Sequence, residues 1–148
     1  MQPGAFVRVL LPTRGKPREP GLLHVGYVLV VARGECVVAY STSQPWPSDT
    51  PLPSGVRLVD AQDAARLNQS RAFLLRLDVL ARLPMTRDWF PDIDHPNQGV
   101  IAIAQPSLQT ELTRLAVNVA RRRRELLQIC ADRRVLNPPA SPHHYTHC

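Results

Sequence analysis

Residues 24–43 read His-Val-Gly-Tyr-Val-Leu-Val-Val-Ala-Arg-Gly-Glu-Cys-Val-Val-Ala-Tyr-Ser-Thr-Ser, two apolar runs separated by a short polar break. β-Branched and aromatic residues of this density fit a pleated, half-buried surface. The segment therefore predicts an antiparallel hairpin, and every other element must pack around it. Ala32-Arg33-Gly34 suits a three-residue loop, because Gly34 then takes the left-handed position without a Cβ clash. A two-residue turn would instead force Arg33 to positive φ. The three-residue loop pairs Val31 with Glu35 and Val30 with Cys36. Carried outward, it sets His24 opposite Thr42 on one face, with Cβ atoms roughly 5 Å apart. A slip of one residue would undo that pairing.

The rest of the chain reads as short elements and turns. Ala5–Leu11 suits a first strand. Pro12–Gly21 holds Arg14, Lys16 and Arg18 among glycines and prolines, either a solvated connector or a loop that grips phosphate. Gln44–Gly55 contains Pro45, Pro47, Pro51, Pro53 and Trp46, a stiff loop of the kind that often carries function. Gly55–Val59 looks like a strand. Asp60–Leu67 looks like a short helix, with Asp60 as N-cap and Asp63 three positions on, an acidic form of the capping box. Arg71–Leu77 and Val79–Leu83 suit two strands. Thr86–Phe90 suits a turn of helix bearing two buried rings, and Asp92–Gly99 a polar loop before a strand at Val100–Ala104.

From Pro106 the pattern turns helical. Leu108, Leu112, Leu115, Val119, Leu126 and Cys130 recur at helical spacing, and the helix is expected to run to Leu136 before Pro138-Pro139. This gives a body at 1–105, a basic amphipathic helix at 106–137 packed on it, and a disordered tail at 138–148. Arginine and lysine total 18 against 12 acids, and 17 of the 18 are arginine, the side chain suited to bidentate phosphate contacts. Seven arginines and three acids fall between Ser107 and Leu136, so a balance of +4 out of the net +6 lies in that one element. The Arg121–Arg124 run suits either nucleic acid or a solvated helix face.

Three well-separated cysteines, Cys36, Cys130 and Cys148, fit reduced thiols better than a disulfide framework. The first residues carry no signal-peptide pattern, and no run approaches the roughly 20 apolar residues that span a bilayer. The expectation is a cytoplasmic protein without a membrane partner. His143, His144, His147 and Cys148 have metal-capable atoms but no second ligand cluster beside them. No metal or cofactor is implied.

Gly26–Ala32, Val38-Ala-Tyr-Ser-Thr-Ser43, Asn68–Leu77, Leu83-Pro84 and Asp88-Trp89-Phe90, in that order and spacing, resemble the PemK/MazF family of toxins, and in particular its short PemK-like subgroup. The resemblance implies a mainly β fold with some α, an SH3-like β-barrel followed by a long C-terminal helix. It also implies a homodimer, held inactive by a small antitoxin protein, that cuts single-stranded RNA without a metal by attack of a ribose 2′-hydroxyl on the adjacent phosphate. An arginine and a threonine carry that chemistry in the family. Thr42 falls on the threonine. Gly26-Tyr27 falls where the arginine stands, and the nearest chargeable group is His24.

A histidine of ordinary pKa can take or give a proton at neutral pH. His24 is therefore the candidate acid or base. Thr42 would orient the phosphate, and Arg71 or Arg76 would stabilise its developing charge. Ser41 and Ser43 offer further hydroxyls, Arg14, Lys16 and Arg18 offer phosphate contacts, and Trp46 offers a platform on which a base can stack. Each has a structural alternative: a strand-end hydroxyl bonded to backbone for Ser41-Thr42-Ser43, a hydrogen-bonded histidine where a strand begins for His24, and a loop anchor for Trp46. The competing reading of the whole is a PemK-like module that binds nucleic acid or protein and has lost cleavage.

Overall fold

The computed structural model describes residues 1–122 and 126–130. The elements in order are β1 (Ala5–Leu10), β2 (Leu23–Ala32), β3 (Glu35–Thr42), β4 (Val56–Val59), α1 (Ala61–Arg66), β5 (Phe73–Pro84), β6 (Val100–Ile103), α2 (Pro106–Arg121) and β7 (Leu127–Cys130). Six strands form one antiparallel, curled half-barrel in the order β4-β5-β3-β2-β1-β6, and β7 adds in parallel to β5. The tail expected at 138–148, with His143, His144, His147 and Cys148, lies outside the described residues, as do Arg123 and Arg124.

The hairpin forms, but its turn is tighter than expected. Ala32 pairs with Glu35, and the two-residue turn places Arg33 at φ 54° and Gly34 at φ 73°. Such a turn matches the right-handed twist of the flanking strands, and that match outweighs the left-handed strain at Arg33. A bulge between Val28 and Val30 then restores the expected outer register, Val28 with Val38 and Tyr27 with Ala39. There the β2–β3 ladder stops. His24 pairs instead with Val9 on β1, and Thr42 with Leu74 on β5, so the predicted His24–Thr42 cross-strand pair does not form.

The two strands expected at Arg71–Leu77 and Val79–Leu83 are one. β5 pairs with β3 along its length, with β4 over Phe73–Arg76 and with β7 over Val79–Arg82. Between Arg76 and Leu80 its register to β3 jumps, so Leu77, Asp78 and Val79 bulge out of the ladder. The Leu77 N–H donates to Gly55 O at 2.8 Å. Arg76 Nε and Nη2 donate to the two Asp78 carboxylate oxygens, both at 2.8 Å. This bidentate pair clamps the bulge, which bends β5 sharply and lets one strand serve several partners.

Each face of the sheet carries its own core. On one, Phe6, Tyr27, Leu75, Leu77 and Leu80 pack with Ala64 and Leu67 from the α1 region and with Leu112 of α2. On the other, Val7, Val9, Val28, Val38, Ala81 and Leu83 are covered by Trp89 and Phe90, the two rings expected to be buried. The apolar stripe of α2 is as anticipated: Leu112 and Val119 are fully buried, and Leu108 and Leu115 pack on the first core. The helix is shorter than the expected 106–137. The Arg122 N–H closes it on Asn118 O and Val119 O, and Leu127–Cys130 forms a strand. Leu126, Ile129 and Cys130 satisfy a helical stripe, yet so short an apolar run also suits a buried strand beside a sheet. Cys36 is a free thiol, buried, with its pKa pushed up to about 12 by desolvation. Among the described residues no helix is long and apolar enough to cross a membrane.

Candidate functional site around His24

Where β2 leaves β3, the sheet opens and two adjoining cavities form. The larger, about 730 Å³, is lined by Arg8, His24, Asn68, Gln69, Asp92, His95 and Asn97, among others. The smaller, about 310 Å³, is lined by His24, Ser41, Ser43, Gln69, Ser70, Arg71 and Phe73, among others. His24 and Gln69 border both. The result is a groove with His24 at its middle.

Three local devices build the groove. The first is the end of β3: Ser41 Oγ donates to Val25 O at 2.5 Å, tying β3 to β2 beyond the last ladder pair and beside His24. The second is the C-terminus of α1. Its N-cap is as expected, with the Asp60 carboxylate accepting from the Asp63 N–H at 2.8 Å. Its other end closes by bonds from the Asn68 N–H to Ala65 O and the Gln69 N–H to Ala64 O, with Asn68 left-handed at φ 56°. That is a Schellman closure with asparagine in the usual glycine position, and it delivers Asn68 and Gln69 to the groove wall. The third is the 92–99 loop. Val100 N–H donates to Asn97 O across Gln98 and Gly99, both at positive φ, and Arg8 N–H donates to Gly99 O at 3.1 Å. Asp92 pairs with Arg8 at 3.3 Å.

His24 is half-buried, and desolvation lowers its pKa below the ordinary 6.5. Its imidazole is therefore neutral at pH 7 and able to accept a proton. Arg71 is exposed and has no carboxylate partner among the described residues. Ser41, Ser43 and Ser70 line the same cavity, with the Ser41 hydroxyl taken up by Val25 O. Half of the groove is thus cationic and rich in donors. The other half is closer to neutral, because Asp92 offsets Arg8.

The expected site is only partly assembled. His24, Ser41, Ser43 and Arg71 meet. Thr42 lines neither cavity, since side chains alternate along β3 and Ser41 takes the groove side; its Oγ1 accepts from the Gln44 N–H at 3.2 Å. Arg76 is spent on Asp78, and that hydrogen bond holds its guanidinium above its ordinary pKa. Arg14, Lys16 and Arg18 line neither cavity; Lys16 lies 3.8 Å from Glu19, and the loop base is held by Tyr40 Oη donating to Pro12 O. Trp46 Nε1 donates to Thr50 O at 2.9 Å and so anchors its own loop.

Arg8, Asn68, Gln69, Asp92, His95 and Asn97 were not singled out from sequence. The polar run 92–99 was the available signal, but only the backbone bond to β1 shows where that run lies. No protein-family model matches the chain, and no curated protein does so either.

Proposed function

We propose that the groove binds single-stranded RNA and cleaves it without a metal, by attack of a ribose 2′-hydroxyl on the neighbouring phosphorus. The observation that carries this reading is the seating of His24, half-buried and lowered in pKa, between a cavity holding Arg71, which has no carboxylate partner among the described residues, and one holding His95. His24 takes the 2′-hydroxyl proton. The oxygen then attacks phosphorus, and charge builds on the nonbridging oxygens, where Arg71 and the Ser43 hydroxyl stabilise it; preorganised donors of this kind commonly contribute several kcal/mol. The bond to the 5′-oxygen breaks, and His95 supplies that oxygen with a proton. The products are a 2′,3′-cyclic phosphate and a 5′-hydroxyl.

This reading keeps the chemistry implied by the PemK/MazF resemblance and an SH3-like barrel ancestry, but it changes the residues. Thr42 and Arg76 drop out, and His95 enters. A small antitoxin and a homodimer remain part of the proposal through the resemblance alone. The displacement of Thr42 and Arg76 from the groove favours a second reading, a module that binds RNA and does not cut it.

A fluorogenic single-stranded RNA incubated with the protein in EDTA separates the two. Cleavage that falls at least about a hundredfold in His24→Ala, the usual scale for removing an acid or base, and that survives in Thr42→Val supports the nuclease. Tight binding with no cleavage supports the module.

A further inference from the structure

The two halves of the groove differ in charge, and the difference assigns them different parts of an RNA. A phosphate carries full negative charge and seeks cations that have no carboxylate partner among the described residues. Arg71 supplies one to the smaller cavity. In the larger cavity Asp92 stands 3.3 Å from Arg8, so a phosphate there would meet a carboxylate. That cavity suits the uncharged part of a nucleotide, and its volume of about 730 Å³ leaves ample room for a base.

Its walls also carry amide groups whose orientation is fixed before any ligand arrives. Asn97 Oδ1 accepts from the Gly99 N–H at 3.1 Å, which leaves the Asn97 NH2 to donate. Gln69 Nε2 donates to Leu67 O at 3.0 Å, which leaves Oε1 to accept. A free amide can rotate to suit either polarity, but these two cannot without losing a backbone bond. We propose that the larger cavity is a nucleobase subsite next to the cut phosphate, with Asn97 as donor and Gln69 as acceptor to the edge of the base. On adenine or cytosine the exocyclic amino group would donate to Gln69 Oε1 and the ring nitrogen accept from Asn97; on uracil or guanine the ring N–H would donate and the carbonyl oxygen accept, so the placing of the two amides sets which base fits. Amide side chains pair with adenine in this complementary manner in nucleic-acid complexes. The inference rests on the reading of the groove as an RNA site.

Asn97→Asp is the informative variant. The aspartate can still accept from the Gly99 N–H, so the turn is kept, but the donor becomes a second acceptor. Gln69→Met removes the acceptor and leaves the Asn97 turn alone. Two randomised pools serve as probes: single-stranded RNA, read by mapping cut ends, and the same pool with 2′-O-methyl sugars, which cannot be cut and is read by sequencing what the protein retains. Wild-type protein is expected to show a base preference of about fivefold to tenfold at one position, the effect of a hydrogen bond or two, and Asn97→Asp to abolish or invert that preference. A base profile that is flat in wild-type protein, or identical in wild-type and both variants, overturns the subsite. If the first pool stays intact, the nuclease reading fails while the retained 2′-O-methyl sequences still decide the subsite. Failure to retain any of the second pool overturns it.

Discussion

Replacing Arg76 by methionine should destabilise the protein and leave the proposed RNA cleavage alone. The side chain is 28% exposed and its partner Asp78 only 11%, and together they hold the three-residue bulge at which β5 changes register. Methionine preserves most of the buried stem but leaves the Asp78 carboxylate largely buried with no cation. Breaking a fully buried pair costs roughly 3–5 kcal/mol. The partial exposure of Arg76 reduces this to about 2–3 kcal/mol, because solvent already shares in the charge. For a chain of this size each kcal/mol lowers Tm by about 2–4 °C, so a fall of about 4–12 °C is expected. Urea melts of Arg76→Met, Asp78→Asn and the double variant should show a coupling of about 1–2 kcal/mol. Hydrogen exchange at the Leu77 amide, which the bulge directs to Gly55 O, should rise in step. Cleavage per folded molecule should not change. An Arg76→Met protein as stable as wild type but unable to cut RNA would refute this reasoning and return Arg76 to the chemistry.

Further expectations follow from the same geometry. Because burial depresses the His24 pKa, the ascending limb of kcat/KM against pH should have its midpoint below 6.5; a midpoint above 6.5 contradicts the assignment. By linkage, the contribution of His24 to stability is full above 6.5 and declines as pH falls through the lowered value, since the unfolded chain takes up the proton more readily. Gly26→Ala would bring a Cβ within 2.3 Å of Val38 Cγ1 and 2.8 Å of Val9 Cγ1, so a loss of about 1–3 kcal/mol is expected in denaturant melts. Arg33→Asn should stabilise the hairpin by about 0.5–1 kcal/mol, because asparagine tolerates the left-handed turn position better; an unchanged melt would show that the turn carries no strain.

The sequence made local patterns legible and tertiary placement much less so. The hairpin, the Asp60 cap, the buried Trp89–Phe90 pair and the α2 stripe each follow from neighbours a few residues apart. The turn at Arg33-Gly34 was misjudged because the cost at one residue was weighed without the gain in strand twist. β7 was read as helix because a four-residue apolar run suits either element. The site shows the same division. His24 and Ser41 could be brought together by extrapolating one hairpin. Placing Arg71, Asn68, His95 and Asn97 beside them required knowing how α1 and the 92–99 loop close on the sheet. Thr42 was lost to the site because a strand offers alternate residues to each face, and the groove takes Ser41.

The most direct test is to determine, by mass spectrometry, the termini left on a defined single-stranded RNA by the wild-type protein in EDTA. The account predicts 2′,3′-cyclic phosphate and 5′-hydroxyl ends, absent with His24→Ala and with a substrate carrying a 2′-deoxy sugar at the cut. Ends bearing a 5′-phosphate, or undiminished cutting by His24→Ala, would contradict it.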